Sequence, residues 1–254
     1  MTAVVRPFLF AWHFLTAIPI SRTHHEPAAA ELATSMAWYT TVGLLIGGIL
    51  ASADLVLARL FTPEVVNVLL IGLLVVLTRG LHQDGLADTV DGLAGGRTAA
   101  DRLAIMRDPR VGAMGATALF LFLFLRYAAL QALPQSLRMP ALVCMPALGR
   151  WAMVTVAWLS PYARAEGGLA APFLRHLSFV HVLCSTVVLG AALILSLGAP
   201  GAALALMIGV MVVGAAWAGC RRWFGGVTGD TMGATNELTE IVFLLLVPMI
   251  LWFR

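Results

Sequence analysis

Residues Leu177–Gly219 read LSFVHVLCSTVVLGAALILSLGAPGAALALMIGVMVVGAAWAG. Apart from His181 the run holds no acidic or basic residue. It is about twice the roughly 20 residues that a helix needs to cross a bilayer. Gly198-Ala-Pro200 divides it, and proline is tolerated at a helix end, so it is read as two spans, 177–197 and 201–219. Working outward, apolar run length proposes five more, at 37–57, 65–80, 113–133, 140–159 and 238–253. Pro63, Pro134, Pro140 and Pro161 also fall at or near proposed ends. Charged residues are 11% of the 254-residue chain and mean hydropathy is +0.91; soluble domains carry about twice that charge fraction. The expected fold is all-α, a polytopic transmembrane bundle of about seven spans in which 1–254 form a single integral membrane domain within the lipid bilayer.

Arg6 and the apolar stretch Pro7–Ile20 imitate a signal peptide, but no small-residue cleavage pattern follows. The stretch is read as a short N-terminal helix at the interface or against the bundle. The three cysteines, Cys144, Cys184 and Cys220, lie in or beside apolar segments and are expected to be buried thiols. A net charge of +3 without a dense basic stripe excludes nucleic acid as a partner.

Seven spans put the termini on opposite sides, and arginine placement chooses the orientation. One side holds Arg6, Arg22, Arg79, Arg97, Arg102, Arg107, Arg110, Arg164, Arg175, Arg221 and Arg222; the other holds only Arg59, Arg138 and Arg254. The first side is therefore expected to be cytoplasmic. Arg126 and Arg150 fall within spans, show no obvious acidic partner at their depth and receive no role. Asp54, near the outer end of the first span, is expected to pair locally or reach water.

Both acidic clusters of the chain fall on the cytoplasmic side, in segments of about 80–112 and 221–240. Asp84, Asp88 and Asp91 are spaced i, i+4, i+7, which places them within one helical stripe of roughly 60°. Asp230, Glu237 and Glu240 line a second helix that runs into the last span. Carboxylates gathered this closely repel unless a cation lies between them. The donors are all oxygens, which favours Mg²⁺, Mn²⁺ or Ca²⁺ over zinc. Magnesium is usually held by a few carboxylates plus substrate phosphates, so diphosphate chemistry is the expected purpose. The six acids are the metal-ligand candidates. Gly85 and Gly229 stand among glycines that serve either close approach to phosphate or helix packing. Arg107 and Arg110 are candidate phosphate clamps, whereas Arg97 and Arg102 read as membrane-flanking charges.

Three stretches carry a family resemblance. They are Gly80-Leu-His-Gln-Asp-Gly-Leu-Ala-Asp-Thr-Val-Asp-Gly92, Ile105-Met-Arg-Asp-Pro-Arg-Val-Gly112 with Gly115, and Gly225-Gly-Val-Thr-Gly-Asp-Thr-Met-Gly-Ala-Thr-Asn-Glu-Leu-Thr-Glu240. With Phe14-Leu-Thr-Ala-Ile-Pro19, they make the chain resemble the adenosylcobinamide-GDP ribazoletransferase, or cobalamin synthase, family over nearly its whole length. Gln83, in place of an apolar residue, and Pro109, in place of a small polar one, depart from the pattern without touching an expected ligand. The resemblance implies an Mg²⁺-dependent enzyme of the bacterial inner membrane, late in cobalamin biosynthesis. It implies joining of adenosylcobinamide-GDP to α-ribazole, or its 5′-phosphate, with release of GMP; a homo-oligomer is compatible with it. Asp84, Asp91 and Glu237 are the expected catalytic residues, with Asp91 or Glu237 as proton acceptor.

Two rivals stand beside this reading. A CDP-alcohol phosphotransferase also uses an aspartate stripe, but the Asp84-Gly-Leu-Ala-Asp-Thr run lacks the arginine of that family's motif. A divalent-cation transporter places its site near the bilayer midplane, whereas both clusters here are expected at the boundary.

Overall fold

Gly198 has φ 73° and ψ 173°, a backbone region open essentially to glycine alone, and Pro200 follows it. The chain reverses there. Trp151 donates its indole N–H to Thr186 Oγ1 at 2.8 Å, and a Cβ added to Gly209 would lie 2.8 Å from the same indole. On an unbroken helix Thr186 and Gly209 would be roughly 34 Å apart. The apolar run is a helical hairpin, as its Gly-Ala-Pro centre predicts.

The computed structural model describes residues 2–20 and 27–253; Arg22 and Arg254 of the charge argument lie outside them. The helices are α1 (Thr2–Leu15), α2 (Ala29–Met36), α3 (Tyr39–Leu57), α4 (Pro63–Thr78), α5 (Leu81–Gly95), α6 (Ala99–Ile105), α7 (Ala113–Ala132), α8 (Gln135–Leu159), α9 (Ala171–Leu174), α10 (Phe179–Trp223, broken at Gly198) and α11 (Gly229–Leu246), which continues as a 3₁₀ turn over Val247–Phe253. No strand occurs among the described residues. Five helices are long and apolar enough to span a membrane, and α4 with α5 gives a sixth if the pair, bent by 89°, is one broken span. With the two arms of α10 taken separately the count is six, or seven with the broken pair, in which the expected second span, 65–80, corresponds to α4 alone.

Lipid is as apolar as leucine, so close packing rather than hydrophobicity joins these helices. Gly43 and Gly47 let α3 approach the backbone of α8 around Val143–Ala147, where a Cβ on Gly43 would fall 2.6 Å from Ala147 Cα. Such small-residue crossings bury α8 at the centre of the bundle. Phe120, Phe124, Val187 and Leu195 remain exposed, as lipid-facing side chains should. Helix α1 buries Ala11, Trp12 and Leu15, so it is tucked against the bundle.

Arg138, counted above among outer-segment charges, is instead buried within α8. Its guanidinium bonds Asp54 Oδ1 at 2.9 and 2.7 Å and Asn67 Oδ1 at 2.7 Å. Asp54 therefore pairs, and across helices.

Arg79 and Gly80 take left-handed conformations, with φ 55° and 66°. They turn the chain from α4 into α5. Arg79 then donates to the carbonyl of His13 at 2.9 Å, capping α1.

Candidate functional site

Helices α5 and α11 cross where both carry glycine. A Cβ on Gly85 would meet Asp230 O at 2.7 Å, and one on Gly233 would meet His82 Cα at 3.3 Å. This crossing brings the two acidic segments together. Gly85 is buried against the backbone of α11, so its missing side chain serves helix packing, and the expected phosphate role does not fit its position. Gly229 opens the first turn of α11, which Thr228 caps by accepting from Thr231 N at 3.2 Å, and it lines a cavity.

The six candidate acids divide into two groups. Asp84, Asp88, Asp91 and Asp230 lie at the helix crossing, with Asp88 within electrostatic reach of the other three. Asp84 is exposed, and Asp88, Asp91 and Asp230 are half-buried. Among the described residues, neither the Asp84 nor the Asp88 carboxylate has a hydrogen-bonding partner. Asp91 is engaged at both oxygens, accepting from Gly112 N at 2.7 Å and Gly115 N at 2.8 Å. It caps the start of α7, where helix N–H groups favour an anion.

Glu237 and Glu240 lie deeper, buried among two arginines. Arg126 Nη2 is 2.8 Å from a carboxylate oxygen of each, and Arg150 pairs with Glu240. Gln83 Nε2 donates to Glu237 Oε1 at 3.1 Å, and Asn236 Nδ2 to Glu240 Oε1 at 3.1 Å. Two corrections follow. Arg126 and Arg150 have acidic partners after all, on α11, which linear sequence does not align with α7 and α8. Gln83 does touch one of the acids, because α5 buries it against α11. Two glutamates and two arginines sum to zero charge, and this is how ions persist inside a membrane bundle. Their cation partners are already guanidinium groups.

Among the described residues no three His, Cys, Asp or Glu side chains converge closely enough to enclose a metal unaided. The aspartate group nonetheless carries four carboxylates against one arginine, Arg164, whose Nη2 lies 3.0 Å from Asp230 Oδ2. Arg164 had no special signal in the sequence. It arrives because the 160–170 loop docks on the 224–228 loop, with Val227 N donating to Pro161 O and Ala163 N to Val227 O, each at 2.9 Å. Gly226 permits this docking, since a side chain there would strike Pro161 O.

Arg107 and Arg110 stand at the rim. Arg107 pairs with Glu166. Arg110 grips Asp108 through two bonds, of 2.9 and 2.7 Å, and these hold the Asp108 carboxyl down to about 2. Two recesses flank the aspartates. One, of about 160 Å³, is lined in part by Asp84, Asp230, Arg164 and Gly229. The other, of about 450 Å³, is lined in part by Asp88, Asp91, Asp108 and Arg110.

The fold and the site define a polytopic membrane protein with an aspartate-lined cleft above a charge-neutral buried network. Residues 7–248 match the profile of the family described as cobalamin-5-phosphate synthase, and the chain belongs to that family. It is similar to the adenosylcobinamide-GDP ribazoletransferases of Syntrophobacter fumaroxidans (41% identity, 84% of this chain and 86% of the relative) and Stutzerimonas stutzeri (39% identity, 94% and 96%). The corresponding protein of Clostridium acetobutylicum is 30% identical over 99% of both chains. No solved structure matches the chain.

Proposed function

We propose that this protein joins adenosylcobinamide-GDP to α-ribazole, or its 5′-phosphate, giving adenosylcobalamin or its 5′-phosphate and releasing GMP. The reading rests on the family and on one observation: the aspartate group, with one arginine against four carboxylates, at the α5–α11 crossing. The cleft is assigned to the cytoplasmic face of the bacterial inner membrane, from the arginine asymmetry.

The donor set fits Mg²⁺ that arrives with substrate, because such an ion needs only one or two carboxylates plus phosphate oxygens and water. Asp84, Asp88 and Asp230 would hold it; when bound, it supplies charge neutralisation on the diphosphate oxygens. Glu237 and Glu240 are assigned to holding the helices, and Asp91 to anchoring α7. A ribose hydroxyl oxygen attacks the phosphorus nearest cobinamide. The bond from that phosphorus to the bridging oxygen breaks, and GMP departs with that oxygen. The hydroxyl proton passes to whichever of Asp84 and Asp88 keeps an oxygen clear of the ion, since both carboxylates are free of protein partners. Arg164 orients Asp230 and faces the phosphates.

The test is incubation of purified protein with adenosylcobinamide-GDP, α-ribazole and Mg²⁺, with GMP quantified by mass analysis. Asp84→Asn and Asp230→Asn should each lower turnover by a factor on the order of 100 or more, in keeping with lost positioning and charge stabilisation. EDTA should abolish it. Near-normal turnover in both variants would remove the site.

A further inference from the structure

The smaller recess has two unlike ends. One presents Asp84, Asp230, Arg164 and Tyr162 at the aspartate group. The other is built from Phe14 of α1, Tyr39 of α3 and Phe173 of α9, with Leu169 at the rim. The aromatic residues already pack together: ring centroids are 4.9 Å apart for Phe14 and Phe173, and 6.1 Å for Phe14 and Tyr39. His82 also lines the recess and is only 1% exposed. Arg150 Nη2 lies 3.3 Å from its Nδ1. A guanidinium only donates, so Nδ1 accepts and the ring proton sits on Nε2. That Nε2 is buried and has no partner. Arg164 Nε, in the same lining, is likewise buried without a partner; unmet buried N–H donors are costly, and they mark where ligand acceptors belong.

We infer that this recess, with Phe14, Tyr39, Phe173 and His82, binds the acceptor nucleoside through a compact, weakly polar aromatic base, with the ribose directed at Asp84 and Asp230. This rests on the proposed transfer reaction and deepens it. Three features favour such a base. A volume of about 160 Å³ admits one small bicyclic ring and excludes a corrin macrocycle. The aromatic end offers a stacking surface. The two buried donors divide between the parts of such a ligand: His82 Nε2 matches the ring-nitrogen acceptor of a benzimidazole-type base, and Arg164 Nε, beside Asp230, matches an oxygen of the ribose. Guanine fits poorly, because its polar edge would lose several hydrogen bonds against Phe14, Phe173 and Leu169. The larger recess beyond Asp88 and Asp91, with Arg110 at its edge, is left for the guanosine diphosphate arm. The aspartates then lie between acceptor and donor, as in-line displacement requires.

The experiment uses full-length protein in nanodiscs, with steady-state kinetics for each substrate and direct titration of α-ribazole by fluorescence. Leu169→Trp, at an exposed rim position, should narrow the recess without disturbing the bundle. Phe173→Leu removes the ring and keeps apolar bulk; His82→Ala removes the donor. Expected are increases of tenfold or more in the KM and Kd for α-ribazole in all three, with the KM for adenosylcobinamide-GDP within twofold of wild type. For Phe173→Leu, kcat at saturating α-ribazole should be preserved. An unchanged α-ribazole Kd in both Leu169→Trp and Phe173→Leu, or a rise confined to the KM for adenosylcobinamide-GDP, overturns the assignment. Absence of GMP release by wild type would sink the reaction instead. In that event the titrations still decide whether this recess holds an aromatic nucleoside.

Discussion

At the residue scale, the acids of this chain do two different jobs that their identity does not reveal. Asp84 is exposed without a partner, whereas Glu240 is fully buried between Arg126 and Arg150. Removing one partner of a buried pair leaves an uncompensated charge and costs about 3–5 kcal/mol, while replacing both with apolar residues is often neutral. Arg150→Met should therefore lower the denaturation midpoint in detergent sharply. Arg150→Met combined with Glu240→Leu, which restores charge balance with Arg126 and Glu237, should recover most of that loss. Asp84→Asn should leave the midpoint near wild type. If the double variant were as unstable as the single, the network would be held by something other than charge balance. The metal-ligand reading of Glu237 and Glu240 came from spacing on one helix. It missed that two intramembrane arginines from other helices reach the same depth, and pairing across helices leaves no trace in linear spacing.

At the element scale, what was legible were features that obey local rules. The apolar runs became helices almost where expected, and Gly198-Ala-Pro200 marked the hairpin because its backbone demands glycine. What was not legible was the docking of short pieces. The loop carrying Tyr162 and Arg164 is placed by two backbone bonds to Val227 N and O, a pairing with no compositional signature. Helix α9 supplies Phe173 from a segment that reads as ordinary loop. Two glycines give a paired prediction. Gly198→Val forces a branched residue into φ 73°, at a cost of about 1–3 kcal/mol, and should lower the midpoint while folded protein keeps its kcat. Gly85→Ala meets the Asp230 backbone at 2.7 Å. It should push α5 from α11 and lower kcat by tenfold or more with a smaller change in midpoint, because it separates Asp84 from Asp230. Equal effects of the two changes on kcat would mean that the crossing does not set the site geometry.

At the scale of the whole molecule, the structure ties three segments together at one end of the bundle. Arg107 pairs with Glu166, Arg164 with Asp230, and Arg102 donates to Trp223 O at 3.0 Å. Because these contacts join 81–112, 160–176 and 221–230, the three segments must share one side of the membrane. The proposed function puts that side in the cytoplasm: the arginine asymmetry favours it, and the proposed substrates, which carry a nucleotide diphosphate, would need the acids there. The opposite end is served by Arg59, in the α3–α4 connection, and by the turn between α7 and α8. Single cysteines placed in a background lacking Cys144, Cys184 and Cys220 test this directly. Ala165→Cys and Arg97→Cys should resist a membrane-impermeant maleimide in intact cells and react after lysis. Arg59→Cys should react in intact cells. Labelling of Ala165→Cys and Arg59→Cys from the same side would contradict the seven-span path, since three crossings, by α4 with α5, α7 and α8, separate them. Labelling of all three with reversed sidedness would keep the fold and invert the protein, placing the aspartate cleft away from its nucleotide substrate and ending the functional reading.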